Sequence, residues 1–457
     1  MIKKTLALAI ALTSAQLTMA QGFYVDEQSA LRLGDAFSGG AAQADDASTA
    51  FYNPAGLTRL KNKQLTFNLS GISVKSEFKG TSSTLVEDAN NVSGEDISAE
   101  AFDVLPSIYF SRPMSENLVF GAYLNAPYAT GTDFGDDTVG RYFATESSIT
   151  GIDLGTAFGF KVSDNLSLGI SMVMQYLSAT VAQAVNTSAA CKGAEIQGQL
   201  APFNCAALGI ADAELGNTTY DSQFEMKGDD LNIGFTVGML YEFSPESRIG
   251  LHYKNRISHD LQGNATLEVP AAAEGFGGLA GLVDTKAKGT ATLETPSQAN
   301  LSFHQGLGKF AIQADVQWTQ WSSFETLTVK SDNEVIQGVA SPQSYDWAES
   351  YRYALGGSYQ VSPALTLRSG FALDQTPIKD ENTKIDFAFD DYKAISFGLT
   401  YDLNKDLAFD FGIQKTLQQK RDIKQGNTQD ASENLSQLKG EVTTDVLSLA
   451  AGIKMKF

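Results

Sequence analysis

After its first twenty positions this 457-residue chain has no apolar run approaching the roughly 18 residues that a membrane-spanning helix needs, so a helical membrane protein is excluded. Histidine is scarce. His252, His259 and His304 are scattered, with no further ligands at metal-binding spacing, and neither a Gly-x-Ser-x-Gly nor a His-Glu-x-x-His occurs. The expectation is a protein that is not an enzyme and has no metal and no cofactor. Positive charge is also short, with 33 basic residues against 53 acidic ones. A nucleic acid would be repelled by such a surface, so no nucleic-acid partner is expected.

What is present begins with an export signal. Lys3 and Lys4 precede an apolar stretch from Leu6 to Leu12 and a small-residue end at Thr18-Met19-Ala20. Residues 1–20 therefore read as a signal peptide, the apolar stretch being about half the length of a membrane anchor. An exported chain meets oxidising conditions, so the only two cysteines, Cys191 and Cys205, are expected to form a disulfide worth about 3 kcal/mol on a chain-entropy estimate.

Alternation of period two recurs throughout. It is clearest at the end, where Val446, Ser448, Ala450, Gly452 and Lys454 alternate with Leu447, Leu449, Ala451, Ile453 and Met455. One face suits lipid and the other water, as in a barrel wall. The terminal Phe457 suits recognition by barrel-assembly machinery. Tyr241, Phe243, Tyr351 and Tyr353 stand near strand ends, where aromatic girdles form. Six short turn signals fall at 112–117, 163–165, 244–247, 306–309, 362–364 and 403–406. Between them alternation fails around 80–100, 129–146, 183–222, 263–289, 331–345, 376–388 and 421–438. Six turns and seven long loops join fourteen strands, the asymmetry of an antiparallel transmembrane β-barrel with short periplasmic turns and long outer loops. The barrel is assigned to residues 63–457. A soluble sandwich or propeller does not require that asymmetry.

Residues 21–62 differ. Asp35 to Ser48 is small, polar and without period two; Asp45, Asp46 and Ser48 suit a helix cap, and Asn53-Pro54 suits a chain reversal. Such a segment fits a barrel lumen as a plug, or else forms a loose periplasmic tail.

Here the chain resembles the FadL family of outer-membrane transporters for long-chain fatty acids and other hydrophobic molecules. The resemblance is carried by Gly22-Phe23, Leu33 to Gly39, Ala44 to Ala47, Asn53-Pro54-Ala55, Leu105 to Phe110, Tyr128 to Phe134, Ala314 to Ser322, Tyr351 to Gly356 and Asp390-Asp391-Tyr392. It implies a fourteen-stranded barrel closed by an N-terminal hatch, and lateral release through a gap at a kinked third strand, Leu118 to Pro127. Pro127 cannot donate a ladder hydrogen bond, which suits a break and equally a strand end. Phe23 resembles the hatch aromatic that reaches the inner pocket, and Asn53, Pro54 and Ala55 resemble the residues that hold or move the hatch.

Two outer loops are apolar. Leu200, Phe203, Leu208 and Ile210 in one, and Phe276, Leu279, Leu282 and Val283 in the other, are expected to form a first capture site or to pack on one another as a lid. The resemblance implies basic residues for a fatty-acid head group in the fifth strand and just before Tyr351-Arg352, but those positions align with Ser178 and Ala348. Arg352, Lys227 or Arg141 could compensate, or the cargo could be a neutral hydrocarbon. The expected partners are a hydrophobic small molecule, outer-membrane lipid and lipopolysaccharide, and the assembly machinery, with the chain acting as a monomer. A general diffusion porin, and an adhesin or phage receptor, are the rival functions.

Overall fold

A computed structural model describes residues 22–200, 204–208, 210, 215–276, 282–340, 342–430 and 434–457, so the expected signal peptide, Phe203 and Leu279 lie outside the described residues. Seventeen strands form one sheet that closes on itself, and three staves are each divided in two, which leaves fourteen staves in the wall. In chain order they are β1 (Gln64–Thr84), β2 (Ser98–Pro113), β3 (Leu118–Asp133), β4 (Glu146–Lys161), β5 (Leu166–Val185) and β6 (Ser222–Ser244). The divided β7 (Ser247–Lys254 and Ile257–Glu268) and β8 (Thr285–Thr295 and Gln298–Leu307) follow. Next come β9 (Phe310–Thr319), β10 (Ser350–Ser362), β11 (Leu365–Asp374), β12 (Tyr392–Asp402), the divided β13 (Leu407–Thr416 and Gln419–Gly426) and β14 (Ser436–Lys456). Closure runs from Gln64↔Lys456 to Thr84↔Ser436. The six short connections and the seven long ones fall where the turn and loop signals put them.

Alternation decides which face meets lipid. Along β5, Leu168, Ile170 and Met172 are exposed outward, while Ser167, Ser171 and Gln175 are buried toward the lumen. Higher up the polarity inverts. On the upper part of β7, Ser258, Asp260 and Gln262 face out and Ile257, Leu261 and Leu267 face in, because the wall there stands in water rather than lipid. The breaks at 255–256, 296–297 and 417–418 each advance the inward phase by one residue: Lys254 and Ile257 both face the lumen. Just above, the outward ion pairs Arg256–Glu294 (3.0 Å) and Lys420–Glu441 (2.7 Å) mark the limit of the apolar band. These inversions explain why alternation fails to register from residue 263, although the strand runs on to Glu268.

Among the described residues the upper halves of β8 and β13 have no ladder to β9 and β12, and the β2–β3 seam is incomplete as well. The β2–β3 ladder extends only from Ile108↔Leu124 to Pro113↔Val119. Above it β2 stays paired with β1 up to Ser98, and β3 stays paired with β4 up to Asp133 across an irregularity between Asn125 and Tyr128. Pro127 sits in that irregularity and lacks a donor, so β3 kinks there and continues rather than ending.

Residues 22–62 lie inside the barrel as short helical turns, Ala30–Leu33, Thr49–Tyr52 and Pro54–Arg59. Their backbone can approach the wall because glycines face it. A Cβ on Gly159 of β4 would lie 2.8 Å from the Pro54 carbonyl oxygen, and one on Gly412 of β13 would lie 2.7 Å from that of Ala30. Gly169, Gly238, Gly250 and Gly370 meet Ala55, Asn53, Ala41 and Asp35 still more closely. Asn53 ties the segment to the wall, its carboxamide donating to Ala41 O (2.7 Å) and Met239 O (3.0 Å) and accepting from Ala55 N (3.1 Å).

Gly169→Leu should therefore expel residues 22–62, since overpacking against backbone costs about 1–3 kcal/mol. The expected result is rapid protease cleavage within 22–62 while the barrel keeps its heat-modifiable mobility; equal cleavage of variant and wild type would refute the glycine seat.

Candidate functional site

The β2–β3 seam is closed from within. Val25 N donates to Pro127 O (2.9 Å) and Ala129 N to Phe23 O (3.0 Å), so residues 23–25 add a short antiparallel strand to the freed edge of β3. Gln28 substitutes for one more residue of strand, its carboxamide donating to Ala126 O (2.8 Å) and accepting from Ala126 N (3.2 Å). On the other side Ser107 Oγ and Tyr109 OH both donate to Gln28 O, at 2.7 and 2.9 Å. Val25 is fully buried against Ile72, Leu105, Ala126 and Val446.

Phe23 reaches from this splice into a cluster of rings. Its centroid lies 4.7 Å from Trp321, 5.6 Å from Phe324 and 5.9 Å from Tyr128; Trp321 and Trp347 are 5.2 Å apart, and Trp347 and Phe387 also 5.2 Å. Trp321 arrives because the chain leaves the wall after Thr319 and turns inward at Trp321–Ser323. Gly22, at φ +69°, precedes Phe23 where a side chain would strike Trp321. Among the described residues the buried indole N–H groups of Trp321 and Trp347 have no hydrogen-bond partner.

Two recesses flank the rings. The outer one, a narrow cavity of about 40 Å³, is lined by Val181, Phe224, Leu327 and Val329, with Lys384 and Asp386 among its polar residues. Lys384 donates to Gln343 (3.0 Å), and Tyr345 OH donates to Asp386 (2.8 Å). The inner one, only about 20 Å³, is lined by Tyr24, Phe37, Phe51 and Tyr52 with two cations, Lys254 and Arg352. Both cations are matched. Lys254 Nζ is 3.1 Å from Asp153 and 4.9 Å from the Tyr128 ring; Arg352 Nε is 3.2 Å from Asp26 and 3.8 Å from Asp374.

Above the barrel, Cys191 and Cys205 are joined in a disulfide with Cα atoms 6.0 Å apart. Around it cluster Leu200, Leu208, Ile210, Phe276 and Leu282, so the two apolar loops meet; Ile210 and Phe276 are buried. Val283, half exposed, is not in that cluster. Arg141, wholly buried, knots three loops: Nε bonds Asp221 (2.5 Å), and its terminal nitrogens donate to Gly216 O (2.5 Å), Tyr142 OH (3.0 Å) and Ser93 O.

Three expectations for the head-group site need correction. Ser178 lies on the outward face of β5, because an offset of one residue in a strand turns a side chain to the other face; Gln175 and Leu177 are the buried neighbours. Lys227 is exposed outside the wall, and Arg141 is committed to the loop knot. Ala348 lies just before β10, its N–H bonded to Pro377 O (2.8 Å). Arg352 does face the lumen. Lys254 was missed, although the inward phase Arg248, Gly250, His252, Lys254 was readable from the alternation. Phe23, Asn53, Pro54, Ala55 and Pro127 all lie along the N-terminal segment or the seam it closes.

Comparison with known proteins gives a family model described as outer membrane protein transport protein (OMPP1/FadL/TodX), matched by residues 11–457. The chain is 28% identical over 447 residues to a long-chain fatty acid transport protein of Salmonella typhi, covering 96% of this chain and 97% of that one. A 47 kDa outer membrane protein of Pasteurella multocida is 28% identical over 438 residues, covering 94% and 95%. Among solved structures, a Pseudomonas aeruginosa FadL homologue superposes at TM-score 0.81 with 23% identity, covering 95% of this chain and all of that one. The Pseudomonas putida toluene transporter TodX superposes at 0.67 with 16% identity, covering 96% and 100%.

Burial in the N-terminal segment has a pH consequence. Burial first, and then neighbouring Asp26, pushes the Glu27 carboxyl from 4.5 up to about 7. The docked segment thus holds a proton that the undocked one has released. Burial likewise pushes the Asp35 carboxyl of the same segment from 3.8 up to about 7. Each of the two carboxyls weakens docking by about 1.4 kcal/mol per pH unit between its ordinary value and about 7, and the loss is constant beyond. Protease cleavage within 22–62 should rise between pH 5 and pH 7.5, Glu27→Gln should lessen that rise, and Glu27→Gln with Asp35→Asn should flatten it; a pH-independent wild type would contradict it.

Proposed function

Because the chain belongs to the OMPP1/FadL/TodX family of outer-membrane transport proteins, we propose that it imports hydrophobic molecules, long-chain fatty acids foremost, by capture at the outer loops and lateral release into the bilayer. It is a transporter of the outer membrane and not an enzyme. The observation that carries the reading is the seam between β2 and β3, closed only by residues 23–28. A water-insoluble molecule that reaches the inner recess is better delivered sideways into lipid than downward into water. In this reading residues 21–62 are the hatch, Asn53, Pro54 and Ala55 anchor it, and withdrawal of Phe23 and Val25 from Pro127 opens the route. Capture falls to Leu200, Phe203, Leu208, Ile210, Phe276, Leu279, Leu282 and Val283, steadied by Cys191–Cys205. The protein works as a monomer among lipid and lipopolysaccharide, assembled through the strand that ends at Phe457.

A second cargo class is favoured by one observation. Lys254 and Arg352, which line the inner recess, already face carboxylates, so a neutral hydrocarbon that displaced the surrounding rings would break no ion pair. A fatty-acid carboxylate would have to take the place of Asp153 at Lys254.

Vesicles containing the protein should show saturable uptake of a long-chain fatty acid and of toluene and should exclude a small sugar; free sugar permeation without saturable uptake would favour a porin. Lys254→Met combined with Asp153→Asn removes the pair without stranding a charge. It should slow fatty-acid uptake about tenfold, the worth of one charged hydrogen bond, and spare toluene. Phe276→Asp should weaken ligand binding in detergent while barrel assembly persists; unchanged affinity would refute the capture assignment.

A further inference from the structure

The outer wall is not evenly convex. Across β12, β13, β14, β1 and β2 it holds an apolar depression of about 590 Å³, lined by Phe397, Phe411, Leu449, Leu69, Phe102 and Val104 among others. No charged or polar side chain lines it. Its depth has a local cause: outward positions at the middle of this face carry Gly71 and Ala451, and Ala451 stands between Leu69 on one neighbour and Phe411 on the other. The ring of Phe102 leans over Gly71, where a Cβ would lie 2.7 Å from it.

The position of this depression gives it a meaning. Phe102 and Val104 belong to the stretch of β2 that has no partner on β3. Were the ladder continued in register, Val104 would face Tyr128, beside the kink at Pro127. The depression therefore begins at the lip of the seam that Val25 closes, and runs from there across four further staves in the lipid-facing band.

We infer that this groove is the receiving track for cargo leaving the seam: the hydrocarbon chain of a long-chain fatty acid lies along it before passing into the outer leaflet. The inference rests on the lateral-release reading above. Groove and bilayer are equally apolar, so only van der Waals packing holds the chain, which suits a seat that must also let go. Phe102, 60% exposed, serves as the movable rim.

The test uses the full chain in vesicles of phosphatidylethanolamine, with a diazirine-bearing palmitate and, separately, a diazirine-bearing phosphatidylethanolamine. During uptake the palmitate should label peptides containing Leu69, Phe102 and Leu449. Ala451→Trp, and independently Ile413→Trp, fill the groove and should slow uptake on the order of threefold, the modest loss expected where packing alone is removed. Palmitate affinity in detergent should not change, and Ala299→Trp on the lipid face of β8 should have no effect. Labelling of the groove by the phospholipid alone would overturn the inference in favour of a resident lipid. So would wild-type uptake rates in both groove-filling variants. A wild type that takes up no palmitate would instead refute the lateral-release reading itself. Labelling in the wild type decides the matter even if a tryptophan variant fails to assemble.

Discussion

Within a bilayer every backbone N–H and C=O must find a partner in the protein, and the structure is arranged around a seam where the wall does not supply them. Above Ile108↔Leu124 the edges of β2 and β3 part, and the freed edge of β3 is satisfied by residues 23–28. The amide of Gln28 stands in for a peptide unit where the inserted chain can no longer follow the kink. A gap closed by a removable strand differs from a gap closed by wall: the same hydrogen bonds are made, but by a segment with somewhere else to go.

The other features follow from holding that segment in place. Its chain must lie close to the wall at many points without being part of it, which is possible only where wall residues have no Cβ, and glycines on β4, β5, β6, β7, β11 and β13 meet it. Asn53 adds a fixed point by bonding the backbone of β6. At the far end the side chain of Phe23 packs edge-on against Trp321 and Phe324 while its carbonyl accepts from Ala129 N, so rings are added there to strand hydrogen bonds. The two ends are thus fastened differently, Asn53 by side-chain hydrogen bonds and Phe23 by a short strand and packed rings.

Much of this was legible in the residues, for identifiable reasons. Tight turns carry their own chemistry, so Ser163-Asp164-Asn165 and Ser362-Pro363-Ala364 announced themselves, and counting them gave the number of staves. Pro127 and Asn53-Pro54 were visible because proline has one geometry and asparagine few roles beside it. The upper strands were not, since alternation reports only the contrast between two surroundings, and above the bilayer that contrast reverses. Phe224, Met226 and Leu261, which point inward, then look like loop residues between polar neighbours. The breaks in β7, β8 and β13 compound this by shifting the phase. Ser178 failed for the same reason on the scale of one residue: similarity in sequence tolerates a slip that a strand does not.

Glycine was the least readable of all. In sequence Gly169, Gly238 and Gly412 are small residues on the lumen side of amphipathic strands, as any water-facing position might be. Only the segment lying against them gives them a role, and that segment is separated from them by more than a hundred residues of chain. The same residue type on the opposite face, at Gly71, hollows the lipid side instead. Inside the barrel an absent side chain admits the backbone that closes the seam, and outside it leaves a hollow beside that seam. The same absence of a side chain thus serves two ends, seating a backbone on one face of the wall and hollowing the other.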